Sequence, residues 1–465
     1  MKSVQKVLSV VLAGAMIAAS ATACGSSSSS TAAASGTGTS SSSSDYLNLK
    51  VGESNKDIKA DLKVLTNRTD IVDTKLKQYA AEFKKLYPNV NIKFEGVTNY
   101  ADDVTTRLST KDWGDICKIP SSVDKNEFAD HFISYGSTDE LGKKYRFVTD
   151  KSYDGQCYGI ASVGNAQGIV YNKKVFKEAG ITTMPKTPDE FIKDLQTIKT
   201  KTSGKVIPLY TNFAAKWTMG AWDSYIGVNA TGDATFMNQK LAETKNPFAK
   251  ASFTEGTGPY AVYNILYTAV KDKLTESDPT TTDWESSKTK LNNGQIATMV
   301  LGSWAVNQCK TSGKTPDDVG YMPFPITVNG KQYTSIGNDY CYGINKNATK
   351  DNQTASLLFV KWITEKSNYA YNEGCIPIVK TDKLPSILSE IEKTTMLEDT
   401  PAVKGKEDEF TQVNRDSELS LKDDNKHVQD IVEAAQKGSK TLDQIVSDWN
   451  TKWSDAQKND NIEVK

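Results

Sequence analysis

The chain has 465 residues, of which 38% are hydrophobic and 24% charged, and its 56 Lys and Arg nearly balance its 57 Asp and Glu, giving a formal net charge of −1. This composition is typical of a globular protein long enough for two domains. The near-neutral charge, without a basic stripe, argues against nucleic acid as a partner.

The first 44 residues predict export from the cell and attachment to its membrane. A positively charged start, with Lys2 and Lys6, precedes an apolar run at 7–19. That run is shorter than the roughly 20 residues of a membrane-spanning helix, and it fits the core of an export signal. Small residues then lead directly to Cys24, and an uncharged segment of Gly, Ser, Thr and Ala follows. This arrangement resembles the lipobox of bacterial lipoproteins.

The lipobox resemblance implies a signal peptide at 1–23, a lipidated Cys24 and a location on the extracellular face of the cell membrane. The uncharged segment cannot bury enough apolar surface to offset the entropy of ordering. We therefore expect a disordered tether at 24–57. The alternative interpretation is an ordinary signal peptide that is cleaved before an incidental cysteine.

Strand and helix patterns alternate after the tether. An apolar strand at 62–66 is followed by a helical repeat at 72–87, which Pro88 ends, and strands at 90–94 and 115–119 flank a shorter helical pattern. Short links between alternating strands and helices predict a parallel sheet with crossover helices.

A second alternating unit begins near Tyr158. It contains strands at 168–171 and 206–210, and between them Thr187 and Pro188 form a typical helix start, with the Thr as cap and the Pro in the first position. The C-terminal residues have a helical repeat. These patterns predict two α/β lobes without a visible linker.

The cysteines and histidines give no sign of a disulfide framework, a metal site or a cofactor. None of the cysteines lies in CxxC spacing, and those after the tether are predicted to be small buried hydrophobic residues: Cys117, Cys157, Cys309, Cys341 and Cys375. His131 and His427 are far apart in the sequence and lack ligand-like neighbours. No nucleophile elbow, phosphate loop or dinucleotide fingerprint is present, so we expect no cofactor.

Four segments, taken in order, carry a resemblance to a known family. They are Tyr158-Gly159-Ile160 leading to Gly168-Ile169-Val170-Tyr171-Asn172-Lys173-Lys174-Val175-Phe176, then Pro185-Lys186-Thr187-Pro188-Asp189-Glu190-Phe191, Met299-Val300-Leu301-Gly302-Ser303-Trp304-Ala305 and Gly343-Ile344-Asn345-Lys346-Asn347. In amino-acid sequence and in order along the chain, they resemble segments of the extracellular solute-binding proteins of carbohydrate ABC importers. This is family 1, the group that includes the maltose-binding proteins. The resemblance covers essentially all of 60–455.

The family resemblance implies an α/β, two-lobe periplasmic-binding-protein-like fold of type II, with interleaved lobes, hinge strands and a ligand cleft between the lobes. It implies that lobe 1 comprises 58–162 and 327–372, and lobe 2 comprises 163–326 and 373–465. The implied protein is a monomer without enzymatic activity. It captures a neutral mono- or oligosaccharide and delivers it to the permease subunits of an ABC transporter.

The predicted ligand residues follow from the chemistry of sugars, which present hydroxyls and an apolar ring face. Such a ligand needs planar polar side chains and aromatic platforms in a concave site, and in α/β sheets that site lies at the carboxyl ends of strands. Trp304 is added because carbohydrate-binding relatives place an aromatic residue in the cleft at this motif. The predicted set is Asn67, Arg68, Tyr100, Ser121, Asn165, Asn212, Trp217, Trp222, Trp304, Asn338 and Asp339.

Two other functions remain open from the sequence. A secreted, surface-anchored carbohydrate-active enzyme would need two carboxyl groups at a defined separation, and 57 acidic residues cannot exclude such a pair. The same fold could also bind a non-sugar solute. A charged solute would require a cluster of opposite charge, whereas the predicted ligand residues are mostly neutral or aromatic.

Two further tryptophans, Trp284 and Trp362, are predicted to pack in the protein interior and not to contact the ligand.

Overall fold

The computed structural model describes residues 43–422 and 425–465. The predicted signal peptide and Cys24 lie outside the described residues. Strands are β1 (Ala60–Thr66), β2 (Val90–Gly96), β3 (Ile116–Lys118), β4 (Gly136–Ser137), β5 (Ser152–Tyr153), β6 (Gln156–Cys157), β7 (Ile160–Ala161), β8 (Gly164–Asn172), β9 (Ile207–Leu209), β10 (Ile296–Gly302), β11 (Val319–Pro323), β12 (Thr327–Val328), β13 (Lys331–Asn338), β14 (Cys341–Ile344) and β15 (Thr395–Glu398). Helices are α1 (Ser43–Asn48), α2 (Lys75–Leu86), α3 (Tyr100–Leu108), α4 (Phe128–His131), α5 (Thr138–Gly142), α6 (Lys173–Ala179), α7 (Pro188–Lys201), α8 (Trp217–Gly220), α9 (Val228–Thr231), α10 (Gly258–Lys271), α11 (Trp284–Asn292), α12 (Trp304–Thr311), α13 (Lys350–Glu365), α14 (Tyr369–Asn372), α15 (Glu409–Asp416), α16 (Lys426–Lys437) and α17 (Leu442–Asn459).

The first sheet has the strand order β2-β1-β3-β14-β7. β1 pairs in parallel with β2 and β3, as the alternating strand and helix pattern predicts, and β14 joins as an antiparallel strand. Helix α2 covers this sheet through Leu76, Tyr79 and Phe83, which are buried. Phe83 packs edge-on against Phe359 of α13, with ring centroids 5.3 Å apart. The predicted strands and helix of this region are confirmed.

The second sheet has the order β12-β13-β8-β10-β9, and β11 also pairs with β8. β8 is almost entirely buried, because it pairs with β10, β11 and β13 and has covered faces. Helix α7 begins as predicted: the Thr187 hydroxyl accepts a hydrogen bond from Glu190 N at 3.3 Å. α16 and α17 belong to the core of this part of the molecule.

Two crossing segments, 161–164 and 338–341, connect the two sheets, and the chain passes between them a third time between β14 in the first sheet and β15, which pairs with β13 in the second. β7 ends in the first sheet at Ala161 and β8 begins in the second at Gly164. The two segments are hydrogen-bonded to each other, from Ser162 N to Tyr340 O at 2.8 Å and from Asp339 N to Val163 O at 2.9 Å. A pair of adjacent strands therefore links the two sheets, as a hinge requires.

The return from the second sheet lies later in the chain than the sequence predicts. The prediction begins the return to lobe 1 at residue 327, after the proline-rich turn at 323–325. Instead, β11 remains paired with β8 and β13 pairs with both β8 and β15, so the chain stays in the second sheet through Asn338. The return is later than predicted because the backbone of β11 and β13 pairs with β8, and the proline pattern does not reveal this pairing.

The end of the predicted tether is part of the folded body. Residues 43–48 form α1, and Tyr46 is only 2% exposed. Its ring packs edge-on against Tyr135 at 5.0 Å, and Lys361 Nζ lies 4.8 Å from the ring centroid. Leu47, Leu49 and Val51 pack against the same core. The prediction of disorder is wrong for this part of the segment because Tyr46 and its neighbours supply an apolar face.

The five cysteines after the tether are buried, as predicted, and all five are free thiols. Within the described ranges, no helix is both long enough and apolar enough to cross a membrane.

Candidate functional site

Three tryptophans form an exposed cluster on the second sheet's side of the crossing segments. Trp217, Trp284 and Trp304 each begin a helix, and only Ser303 separates Trp304 from the end of β10. The ring centroids of Trp304 lie 5.6 Å from Trp217 and 5.7 Å from Trp284, and those of Trp217 and Trp284 are 5.4 Å apart. Trp217 is 43% exposed and the other two are half-buried. The cluster thus presents indole surface to solvent at the carboxyl end of β10.

Trp284 belongs to this cluster, although the sequence assigns it to packing. Its contacts with Trp217 and Trp304 join residues far apart in the chain. Its position in the sequence could have indicated this role. Asp283 caps α11, so Trp284 is the first residue of that helix, just as Trp304 is the first residue of α12. The tryptophan cluster is therefore larger than the predicted pair.

A polar group adjoins the tryptophan cluster. Ser303 Oγ accepts a hydrogen bond from Ala166 N at 3.0 Å and donates one to Asn165 Oδ1 at 3.3 Å. Asn165 lies in β8 just after the crossing segment and is 6% exposed. This contact fixes the start of α12, and with it Trp304, against the hinge strand.

Two predicted asparagines follow strands and carry unpaired oxygens. Asn67 comes after β1 and Asn212 after β9, and the Oδ1 atom of each is buried without a hydrogen-bond partner within 43–422 and 425–465. The Asn212 amide nitrogen is 3.2 Å from Met299 Sδ, and its backbone is left-handed at φ 56°. An unpaired buried oxygen costs about 1–3 kcal/mol, so both residues are suited to accept a hydrogen bond from water or a solute.

Charged side chains on the first sheet's side are paired with one another. Arg68 Nη2 contacts Asp70 Oδ2 at 2.7 Å and Glu373 Oε2 at 2.9 Å. Burial would lower the pKa of Arg68, but its hydrogen bond to Asp70 and its other partners raise it above the usual range. Burial also lowers the pKa of Lys118, an effect that Asp339 opposes. Lys118 Nζ lies 3.5 Å from Asp339 Oδ2, whose side chain is 30% exposed.

The remaining predicted residues divide into surface and core positions. Ser121 is exposed after β3. Asn338 donates a hydrogen bond to Asp150 Oδ2 at 3.1 Å and another to Asp339 O at 2.7 Å, so it supports the crossing segment.

Tyr100 and Trp222 do not reach a shared site. Tyr100 is 5% exposed, and its hydroxyl donates to Leu65 O at 3.3 Å and accepts from Lys118 N at 2.7 Å. Trp222 is 2% exposed and packs against Phe324. Neither ring has a face free for a ligand, so the structure contradicts these two predictions.

This geometry defines a class of protein. Two α/β lobes joined by paired crossing strands, with polar and aromatic side chains at strand ends, form the two-lobe fold of type II periplasmic solute-binding proteins. The chain belongs to the bacterial extracellular solute-binding protein family, whose model matches residues 69–370. The family and fold class predicted from the sequence are confirmed, and so is the solute-binding role.

Several characterised proteins are similar to this chain. The manno-oligosaccharide-specific solute-binding protein BlMnBP2 of Bifidobacterium animalis subsp. lactis, solved in complex with mannotriose, is 50% identical, with a TM-score of 0.82 over 89% of this chain and 98% of that chain. BlMnBP1 of the same organism, the binding protein of an ABC transporter in complex with mannobiose, is 52% identical, with a TM-score of 0.81 over the same shares. The multiple sugar-binding protein of Streptococcus mutans is 24% identical over 324 residues, 68% of this chain and 74% of that protein.

Proposed function

We propose that this protein captures a neutral manno-oligosaccharide between its lobes and delivers it to the permease of an ABC transporter. The observation that carries the proposal is the cluster of Trp217, Trp284 and Trp304 beside the Asn165–Ser303 hydrogen bond. Its indole surface suits the apolar face of a sugar ring, while the adjacent amide suits hydroxyls. The similarity to two proteins that bind mannobiose or mannotriose supports the mannose class.

The charge distribution favours an uncharged ligand. Arg68 pairs with Asp70 and Glu373, Lys75 also pairs with Glu373, and Lys118 faces Asp339. Because these charges neutralise one another inside the protein, they leave little net field to attract an ionic solute. A neutral saccharide needs no such field and uses the hydrogen-bonding capacity of the amides instead.

The proposal is tested by calorimetric titration of the protein lacking residues 1–42. We expect mannobiose or mannotriose to bind with a dissociation constant of about 1 μM or tighter, corresponding to about −8 kcal/mol. Maltotriose, a glucose trimer, serves as the control for sugar class and should bind at least tenfold more weakly. Preferential binding of maltotriose would contradict the mannose class, and the absence of binding to any saccharide would contradict sugar capture.

The same titration samples address the alternative of an enzyme. Chromatography of the ligand after prolonged incubation should show the original oligosaccharide unchanged. Release of shorter sugars would instead indicate hydrolysis.

We further infer that the protein is a monomer anchored through a lipidated Cys24 on the extracellular face of the membrane. The small residues before Cys24 and the uncharged segment after it support this inference, and stable anchoring needs two acyl chains or an equivalent second signal. Cys24→Ala should release the protein into the medium or leave it as an uncleaved precursor. A mature-sized variant that stays in the membrane fraction would contradict the lipid anchor.

A further inference from the structure

A polar cavity of about 320 Å³ lies at the hinge, beside β13 and the start of β8. Its walls include Gln167 and residues 335–338 of the hinge strands, Asp150 from the segment between α5 and β5, and Asp399 and Lys422 from the C-terminal part of the chain. The cavity is therefore formed jointly by the segments that a hinge motion brings together.

The cavity adjoins the face that carries the tryptophan cluster. Gln167, which lines the cavity, is paired with Gly302 across β8 and β10. A Cβ atom placed on Gly302 would lie 3.4 Å from Gln167 Oε1 and 2.6 Å from Trp304 Nε1. The Gln167 and Trp304 side chains therefore both reach the space beside Gly302. The Gln167 side chain thus connects the indole of Trp304 with the cavity wall, and one oligosaccharide could contact both.

Asp399 is the unusual group in this wall. Its Oδ1 atom is buried and receives no hydrogen bond from any residue within the described ranges. Burial raises the pKa of Asp399, an effect that the charge of Lys422 opposes. A buried, unpaired carboxylate oxygen is costly to the folded protein. The Asp399 side chain as a whole is half-buried and lines the cavity, so a ligand there can donate a hydrogen bond to its carboxylate.

The other walls indicate the chemistry of that donor. Two lysines, Lys125 and Lys422, and three carboxyl side chains, Asp150, Glu398 and Asp399, line the cavity, so its wall offers both donors and acceptors of hydrogen bonds. Phe147 adds an apolar surface. A neutral ring whose hydroxyls both donate and accept hydrogen bonds matches this mixture, because each hydroxyl has one donor and two acceptor sites.

We propose that the cavity is a terminal-ring subsite of the cleft, in which the Asp399 carboxylate accepts a hydrogen bond from a hydroxyl of the end sugar residue. The inference rests on the proposed function. It adds that the ligand spans from Trp304 to the hinge, so the protein selects oligosaccharides over monosaccharides.

The test compares Asp399→Ala with Asp408→Ala by calorimetric titration with mannotriose at neutral pH. Asp408 lies in the same C-terminal segment, is exposed and is outside the cavity wall, so its variant controls for the loss of one negative charge. We expect Asp399→Ala to weaken mannotriose binding at least tenfold, because a ligand hydroxyl then lacks its acceptor. Asp408→Ala should bind within twofold of the natural protein.

Thermal unfolding of the unliganded variants separates a ligand role from a structural one. Removing a carboxylate that has a buried, unpaired oxygen should leave the melting temperature of Asp399→Ala unchanged or raise it. If Asp399→Ala is less stable, the isosteric Asp399→Asn decides, and a loss of stability there too would assign Asp399 a structural role and overturn the proposal.

The binding outcomes also separate this proposal from the function on which it rests. Mannotriose binding by Asp399→Ala with natural affinity would overturn the subsite alone, whereas failure of the natural protein to bind any saccharide would overturn the proposed function and the subsite with it. Mannose binding as tightly as mannotriose would contradict the spanning arrangement.

Discussion

Tryptophans at different depths have different roles in this molecule. Trp304 is half-buried at the start of α12, with part of its ring open to solvent, whereas Trp222 is 2% exposed in the core of the second lobe. Burying the open face of an indole against a sugar stabilises a complex, while burying it in a core stabilises the fold. The two residues therefore form a matched pair for a test at the scale of the single residue.

Trp304→Ala should weaken saccharide binding at least tenfold, since the lost ring contact is worth about 1.5–3 kcal/mol, and the unliganded protein should keep its fold. Trp222→Ala should do the opposite and lose about 3–5 kcal/mol of unfolding free energy. Calorimetry and thermal unfolding on both variants check this. A Trp304→Ala protein that melts far lower but binds normally would place the ligand elsewhere.

The sequence predicts the chemical types of side chain in the candidate site better than it predicts which residues form that site. Trp304 and Asn165 follow from the family motif and the crossing strand, and the structure joins them through Ser303. Tyr100 and Trp222 satisfy the same rule of position after a strand, yet the structure buries both rings. Burial depends on contacts such as Trp222 with Phe324, which no local pattern encodes.

Helix α1 shows how one aromatic residue turns a predicted tether into part of the fold. Composition predicts disorder for a stretch of Ser, Gly, Thr and Ala, but it averages over Tyr46, which contacts Tyr135, Tyr145 and Lys361. The predicted position at which the chain returns to the first sheet is wrong for a related reason. The pairing of β13 with β8 is a long-range contact, which local sequence patterns do not encode. Strands and helices with regular apolar spacing, such as β1, α2 and α7, were predictable.

Tyr46→Ala should lower the unfolding free energy by about 3–5 kcal/mol, as expected for a large buried ring. Tyr153→Ala is the control, because Tyr153 is 47% exposed and should change stability by less than about 0.5 kcal/mol. Urea unfolding of the two variants gives the comparison. Equal stability would mean that the residues around Tyr46 are a tether, as the composition suggests.

The contribution of Asp194, in helix α7, to the free energy of unfolding depends on pH. Burial, together with the charge of Glu190 one turn earlier, raises the pKa of Asp194 to about 6, against about 3.9 in an unfolded chain. Between these values the folded protein holds a proton that the unfolded chain has released, so this residue's contribution to stability falls as pH rises from about 4 to about 6.

Asp194→Asn removes that term and should melt higher than the natural protein at about pH 7, with the difference vanishing near pH 4. Asp189→Asn, in the exposed first turn of the same helix, should melt lower at neutral pH because a carboxylate there is favoured by the helix dipole. Thermal unfolding at the two pH values measures both effects. A gain for Asp194→Asn that is equal at both would exclude its titration as the cause.

At the scale of the whole molecule, we expect the two lobes to close around a solute. The first and second sheets have separate strand sets, and the chain passes between them at 161–164, at 338–341 and once more between β14 and β15. The first two of these segments are paired with each other. Few covalent links between lobes permit hinge bending, and a solute that contacts both lobes favours the closed state by its differential affinity. The tryptophan cluster, the paired charges of the first lobe and the hinge cavity all lie near these segments.

Small-angle X-ray scattering with and without saturating mannotriose tests capture between the lobes most directly. Natural protein lacking residues 1–42 should show a smaller radius of gyration with the ligand, and Trp304→Ala at the same ligand concentration should show a smaller change. A scattering profile that does not change at a mannotriose concentration proven saturating by calorimetry would contradict closure around the saccharide.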